Sequence, residues 1–330
     1  MRKEIRDLSR TMTPRMRRAF LDSVESIKSS VRINRLVRLI QAGNIEAVID
    51  YVAVNAADFA AVTVLQQQVY NSAGMIYASN IYVKGSSVRF AWDMTHGIAA
   101  RRAEQISASL VTREVDSVKR VIRSYMVEAL EKGMGPRNIA LDLSGRMVQG
   151  RRQGGVIGLT DQQAQWVANF RHYLETNDPR ALGMSLRDRR FDATIRKGNL
   201  TQDQIDKLVS RYSDRLLRHR AENIARTEMA KAMESANEIA FDQAIDRAGV
   251  PLEATYRIWH HGGGGLSPRD SHRSLNGEKR YGNETFTSVV GNSSAEMLYP
   301  HQEGVGPEHV VNCTCTVSRG IDYSKWQPEE

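Results

Sequence analysis

Apolar residues recur at helical spacing through most of the chain. Phe20, Val24 and Ile27 form one set, and Ile33, Leu36, Val37 and Ile40 another, each falling on a single helix face. Residues 1–50 therefore read as helix, with Gly43 as a break and a short helix resuming over Ile45 to Val54. Residues 56–70 predict a further apolar-faced helix. From Ser72 to Asp93, Gly74, Gly85 and Ser86-Ser87 interrupt Tyr77, Ile81, Tyr82, Val83, Val88 and Phe90; helix or loop is favoured there over a hairpin. The cleanest periodicity runs over 99–131. Leu110, Val111, Val115, Val118, Ile122, Tyr125, Met126 and Ala129 form a stripe, with Arg113, Lys119, Arg120 and Arg123 largely off it.

Gly133 and Gly135-Pro136 stop that helix, and a short one begins at Asn138. The Gly- and Arg-rich run Gln149 to Gly158 is the best linker candidate. Thr160 with Gln163, and Thr201 with Gln204, each read as a capping box opening a helix. Residues 203–248 predict one long helix or two abutting ones. The small-residue stripe Ala221, Ala225, Met229, Ala232, Ala236 and Ala240 lets a neighbour approach closely, and Gly249 and Pro251 end the helix. Beyond Pro251 the period changes to two. Tyr256 to His260 alternates like a strand, Gly262 to Gly265 reads as a flexible loop, and short extended runs continue to Cys315.

The fold class expected is α+β: a predominantly helical, elongated N-terminal part with a small β-rich C-terminal module. The division expected is a helical region over 1–98, a helical body over 99–150, a helical segment over 151–250, the small module over 251–320, and a frayed tail over 321–330.

Composition narrows this picture. The 330 residues are 41% hydrophobic and 25% charged, enough for a sizeable core in a soluble chain. The longest mostly apolar stretch, Ala56 to Leu65, carries Asp58 and is too short to span a bilayer, so no membrane is expected. Two cysteines argue against a disulfide scaffold and fit a reducing cytoplasm. The net charge of +8 is unevenly spread. Residues 1–100 carry 13 basic against 8 acidic groups, 101–220 carry 23 against 14, and 221–330 carry 10 against 16. The basic two thirds favour a polyanion such as double-stranded DNA. The candidate contacts are Arg113, Lys119, Arg120, Arg123, Arg151, Arg152, Arg187, Arg189 and Arg190.

Five of the eight histidines and both cysteines fall within residues 260–315. His272, Cys313 and Cys315, with Asp270, His309 or His301 as a fourth ligand, supply the donors of a zinc site. Asp270 is taken as the fourth. One residue between the cysteines is fewer than zinc motifs usually have, although on a strand the two thiols would share a face. The competing reading makes both cysteines small core residues. Arg226 and Glu228 do not share a helix face, and Glu222 with Arg226 is an ordinary i,i+4 pair. No Gly-x-Ser-x-Gly elbow surrounds Ser271, and the acidic C-terminal third is a poor partner for nucleic acid.

Several phrases fall in a fixed order. Ile157-Gly158-Leu159-Thr160 comes first, with Gln163 and Trp166, then Leu186 to Asp192. Arg220 to Glu228 follows, then Trp259, Arg269-Asp270-Ser271-His272, Phe286, Gly291, Tyr299-Pro300 and Asn312-Cys313-Thr314-Cys315. This ordered set, covering roughly residues 150–316, resembles the Mu F-like phage head-morphogenesis family. Thr314 stands where the family more often has arginine, and the Gly262–Gly265 loop replaces an acidic position. The resemblance implies a non-enzymatic minor capsid protein of a tailed bacteriophage, made in the host cytoplasm. Its place would be inside the head at the portal vertex, with portal, major capsid and scaffold proteins and DNA as partners. Arg226, Glu228, Trp259, Tyr299 and Pro300 would then be structural. The alternative is a metal-dependent nuclease or hydrolase centred on His272, Cys313 and Cys315.

Overall fold

A computed structural model describes residues 3–85, 90–263 and 269–327. The expectations for Ser86, Ser87, Val88, Gly264, Gly265 and the last three residues lie outside this range. The described chain is mostly helical, with small antiparallel sheets near its C-terminal end. Compactness divides it into two units, one of residues 1–17, 62–110 and 222–330, the other of 18–61 and 111–221. This division does not follow the five-part scheme expected from the sequence.

The helical N-terminal stretch holds α1 (Lys3–Ser30), α2 (Ile33–Gln41) and α3 (Ile45–Val52). A second break, at Val31 and Arg32, was not visible in the pattern. Asn44 caps α3 by accepting from the Ala47 amide at 2.9 Å. α4 (Ala60–Ala78) follows, and the ambiguous stretch after it holds no strand among its described residues. α5 (Gly97–Glu131) and α6 (Pro136–Ser144) come next.

The linker expected over Gln149 to Gly158 is corrected by the structure. Residues Arg146–Val148 (β1) and Arg151–Gln153 (β2) form a hairpin, and Gly154 to Leu159 are buried. Gly154 and Gly155 both have positive φ, and a Cβ on either would strike Ser210 or the Leu143 carbonyl respectively. The glycines serve close packing, not freedom. The buried ammonium of Lys28 donates to the Gly154 carbonyl at 2.8 Å.

Thr160 and Gln163 form the expected reciprocal cap on α7 (Asp161–Glu175). α8 (Asp192–Lys197) is short, and Thr201 with Gln204 opens α9 (Gln202–Arg247), a single 46-residue helix. Residues of α9 up to Ala221 belong to the second unit and the rest to the first. Its small-residue stripe is buried throughout. In the second unit Phe170 and Tyr212 pack at 4.7 Å, and Arg220 reaches buried Glu114 at 2.7 Å.

The C-terminal elements are β3 (Thr255–His260), α10 (Asp270–Ser274), β4 (Lys279–Tyr281), β5 (Phe286–Val290), β6 (Ser293–Met297), α11 (Pro307–Val310) and β7 (Thr316–Ile321). β3 is the centre of a three-stranded antiparallel sheet ordered β4-β3-β7, with Trp259 opposite Val317. β5 and β6 make a separate hairpin. Alternation along β3 buries Thr255, Arg257 and Trp259, as a half-covered strand requires. Arg257 is held by Glu238, which also pairs with Arg319 at 2.9 Å.

Candidate metal centre

Trp259, Leu275, Phe286, Met297, Tyr299, Cys313, Cys315 and Val317 form one buried cluster. The His272 ring stands edge-on to Trp259, 5.2 Å between centroids. Residues from β3, α10, β5, β6 and the segment before β7 thus meet in one core. Burial of this much aromatic and sulfur surface is what fixes the polar groups beside it.

Within that core, His272 Nδ1 lies 3.4 Å from Cys313 Sγ and 3.7 Å from Cys315 Sγ. The three donor atoms lie within 4.8 Å of one another. In a tetrahedral zinc site, with bonds of about 2.3 Å to sulfur and about 2.0 Å to nitrogen, the sulfur-to-nitrogen edge is about 3.6 Å. The two observed separations bracket that edge, so this group can hold a metal ion. His272 Nε2 is hydrogen-bonded to Ser288 Oγ at 3.0 Å, leaving Nδ1 toward the sulfurs, the outer support that metal-binding imidazoles have. Ser288 Oγ continues to His309 Nδ1 at 2.9 Å, and His309 Nε2 to Ser293 Oγ at 3.0 Å. Ser293 donates to Glu308 at 2.7 Å.

The thiols titrate as a pair. A hydrogen bond from Cys313 and then the His272 ring hold Cys315 down to about 4, against burial, which raises it. Cys313 is pushed up, first by that same hydrogen bond and then by burial. It is the thiolate form of a cysteine that binds metal. Both cysteines are unbridged.

Local contacts explain how these loops come together. A Cβ on Gly262 would run into the Thr314 carbonyl, so only glycine lets the end of β3 approach the Cys-x-Cys segment. Thr314 in turn donates to the Gly262 carbonyl at 2.7 Å. Arg269 donates to the carbonyls of Glu308 and Val311, at 2.5 and 2.8 Å. Thr227 accepts from the Asn312 amide at 3.2 Å, joining two of the ordered sequence phrases.

Asp270 is not part of the centre. Its side chain is 95% exposed and pairs with Arg273 at 3.4 Å, because it stands on the outer side of the helical turn that buries His272. Cys313 and Cys315 lie just before β7, not on a strand, yet both sulfurs face His272. Trp259, Tyr299 and Pro300 are buried. Glu228 is fully buried and accepts from Gln66 at 2.8 Å, while Arg226 stays half exposed on Glu222 at 3.0 Å. Ser288 carried no distinguishing sequence signal, since its partners His272 and His309 are remote in the chain.

The basic residues divide by what they touch. All of the +8 charge belongs to the second unit, with 26 basic against 18 acidic residues; the first carries 20 of each. Arg113, Arg120 and Arg123 pair with Glu114, Asp161 and Glu46. Lys119 and Arg151 are exposed. Arg152 is a brace, donating to the Gly145 and Val31 carbonyls at 3.0 and 2.8 Å. Arg187, Arg189 and Arg190 line one cavity of about 470 Å³ with Arg215. There Asp188 holds Arg190 at 2.7 Å and Arg215 at 3.3 Å, and Arg190 draws its carboxyl down to about 2.

Among the described residues no single helix is long and apolar enough to cross a membrane. No family model, curated protein or solved structure matches the chain.

Proposed function

We propose that this chain is a structural minor head protein of a tailed bacteriophage, acting at the portal vertex inside the head by adhesion. The observation that carries the reading is the convergence of the ordered phrases. Trp259, His272, Phe286, Tyr299, Cys313 and Cys315 pack in one buried cluster, and Thr227 ties it to the Asn312 turn. Residues of a recurring signature that meet in a core act on folding. Here His272, Cys313 and Cys315 are 1%, 8% and 4% exposed, so a substrate would have to open the module to reach them.

In the same reading the metal is zinc and its role is a staple. The donor set of two sulfurs and an imidazole suits zinc, and a staple suits a module of short strands with a small core. Portal, capsid and scaffold proteins are the partners of the first unit. Packaged double-stranded DNA is the partner of the second, which carries the whole net charge. The arginines lining the Asp188 cavity are the favoured phosphate contacts, because Arg187, Arg189, Arg190 and Arg215 share one cavity wall, and Arg190, Arg211 and Arg215 all reach the one carboxylate there.

Cross-linking mass spectrometry on purified heads tests the reading. Links between this chain and the portal are expected. Its absence from heads that contain portal would refute it.

A further inference from the structure

The β1–β2 hairpin is fixed at its root and bare at its tip. It pairs Arg146 with Gln153, Met147 with Arg152 and Val148 with Arg151. A two-stranded ribbon this short is not stable by itself in water, and polar contacts from several elements hold its root. The ammonium of Lys28, 2% exposed, donates to the Gly154 carbonyl at 2.8 Å. The Gly154 amide donates to Asp214 at 2.8 Å, and Ser213 to the Gly155 carbonyl at 2.6 Å. Arg146 pairs with Asp142 and Asp206 at 2.9 and 3.0 Å. The Arg152 amide donates to Glu25 at 3.2 Å, while its guanidinium braces Gly145 and Val31.

The tip has no such contacts. Gln149 and Gly150 turn the chain with φ of 50° and 79°, the left-handed pair that a two-residue hairpin turn requires. Met147 and Val148 are 59% and 40% exposed. As neighbours on a strand they stand on opposite faces of the ribbon. Arg151 is exposed and makes no ion pair among the described residues. No acidic residue occurs from Gly145 to Leu159. One exposed apolar residue is ordinary. Two of them beside an unpaired arginine, on a projection anchored by a buried lysine, make a contact element.

The mounting of the hairpin says what it contacts. Ser210, Ser213 and Asp214 of α9 pack on or bond to its root. Arg211 and Arg215, on the same turns of α9, reach Asp188 at 3.8 and 3.3 Å. The hairpin root and the arginine-lined cavity therefore flank one short stretch of helix, in the unit that carries the +8 charge. A polyanion held on those arginines lies beside the hairpin. Apolar side chains next to arginines are what groove-binding proteins push between base pairs, unstacking and kinking the duplex.

We propose that the β1–β2 hairpin is a DNA wedge. Its tip enters the minor groove of duplex DNA, Met147 inserts between two base pairs, and Arg151 meets a flanking phosphate. The proposal rests on the DNA-facing reading of the second unit and deepens it, from phosphate neutralisation to insertion in the groove without readout of base sequence.

Fluorescence of duplexes carrying aminopurine at successive positions tests this on the full chain, because the emission of that base rises when its neighbours unstack. Binding of the wild-type protein should raise the emission. Met147→Ser should bind with an unchanged salt dependence and lose the rise. Met147→Lys adds a cation, so it should bind at least as tightly and still lose the rise; it serves if the serine variant does not fold. Arg151→Gln should keep the rise and lower the log–log salt slope of the association constant by about one unit. Wild-type protein that binds the duplex with no rise at any position would overturn the wedge and leave the DNA-facing reading standing. So would a rise in both Met147 variants equal to that of wild type. No duplex binding at low salt would overturn both. Cross-links from the tip to portal protein in heads, with no rise in emission, would assign the hairpin to a protein partner and overturn the wedge.

Discussion

Cys313 Sγ lies 3.4 Å from His272 Nδ1, although 41 residues separate them in the chain. That distance is near the edge of a zinc tetrahedron, and it is set by contacts the metal does not make: Ser288 behind His272, Gly262 against Thr314, and Arg269 on the Glu308 and Val311 carbonyls. If an ion completes this frame, removing it should cost stability. A strong chelator, or Cys315→Ser, should lower the thermal midpoint of wild-type protein by about 5–10 °C. Calorimetry with and without chelator checks this, and the Cys315→Ser protein should show no further loss with chelator.

Gly262 offers a second handle on the same frame. Gly262→Ala puts a methyl group into the Thr314 carbonyl and pushes the cysteine segment away from His272. Zinc affinity, measured by competition with a chromophoric chelator, should fall at least about tenfold, as it does when outer supports of a metal site are removed.

Glu234 should give the first unit a pH-dependent stability. It is buried and accepts from the Val317 amide at 3.3 Å, and burial pushes its carboxyl up from 4.5 to about 8. Between those values the folded chain keeps a proton that the unfolded chain has released. The stabilisation is therefore complete below about pH 4.5 and is lost as pH rises through about 8, by at most about 1.4 kcal/mol per pH unit. Urea denaturation at pH 5, 6.5 and 8 should show this slope in the wild type. Glu234→Gln, which keeps an acceptor for Val317, should flatten it.

Glu114 and Arg220 test the second unit. The pair is buried at 2.7 Å, and Arg220 also donates to the Gly158 carbonyl and Ser117. Removing one partner strands a charge, so Glu114→Gln should cost about 3 kcal/mol. A Glu114→Leu/Arg220→Met double variant should lose less than the two single changes summed, which a denaturation double-mutant cycle measures.

For nucleic acid the prediction separates two classes of arginine. Arg190→Gln and Arg215→Gln should weaken duplex DNA binding and each reduce the salt dependence of the association constant by about one unit of log–log slope. Arg152→Gln should act on stability instead, since its guanidinium holds two backbone carbonyls. Filter binding across a salt series, with thermal melts alongside, tells the two apart.

Much of the fold was legible because its signals are local. The Thr160–Gln163 and Thr201–Gln204 caps need only three residues each, and the alternation of Tyr256 to His260 needs five. The Gln149–Gly158 run misled because its glycines look like a linker until Ser210 and Leu143 are seen packed against them. The metal donors were half legible. His272, Cys313 and Cys315 stand out by residue type, but adjacency suggested Asp270, which a single helical turn carries outward. Ser288 is an ordinary residue in sequence and acquires meaning only through its contacts with His272 and His309 from distant parts of the chain.

The central claim is that the chain acts by attachment within a phage head, and quantitative proteomics of purified heads measures that most directly. The account predicts this chain in a few copies per head, recovered in the portal-containing fraction after mild disruption. Heads complete in portal and major capsid protein but devoid of this chain would contradict it.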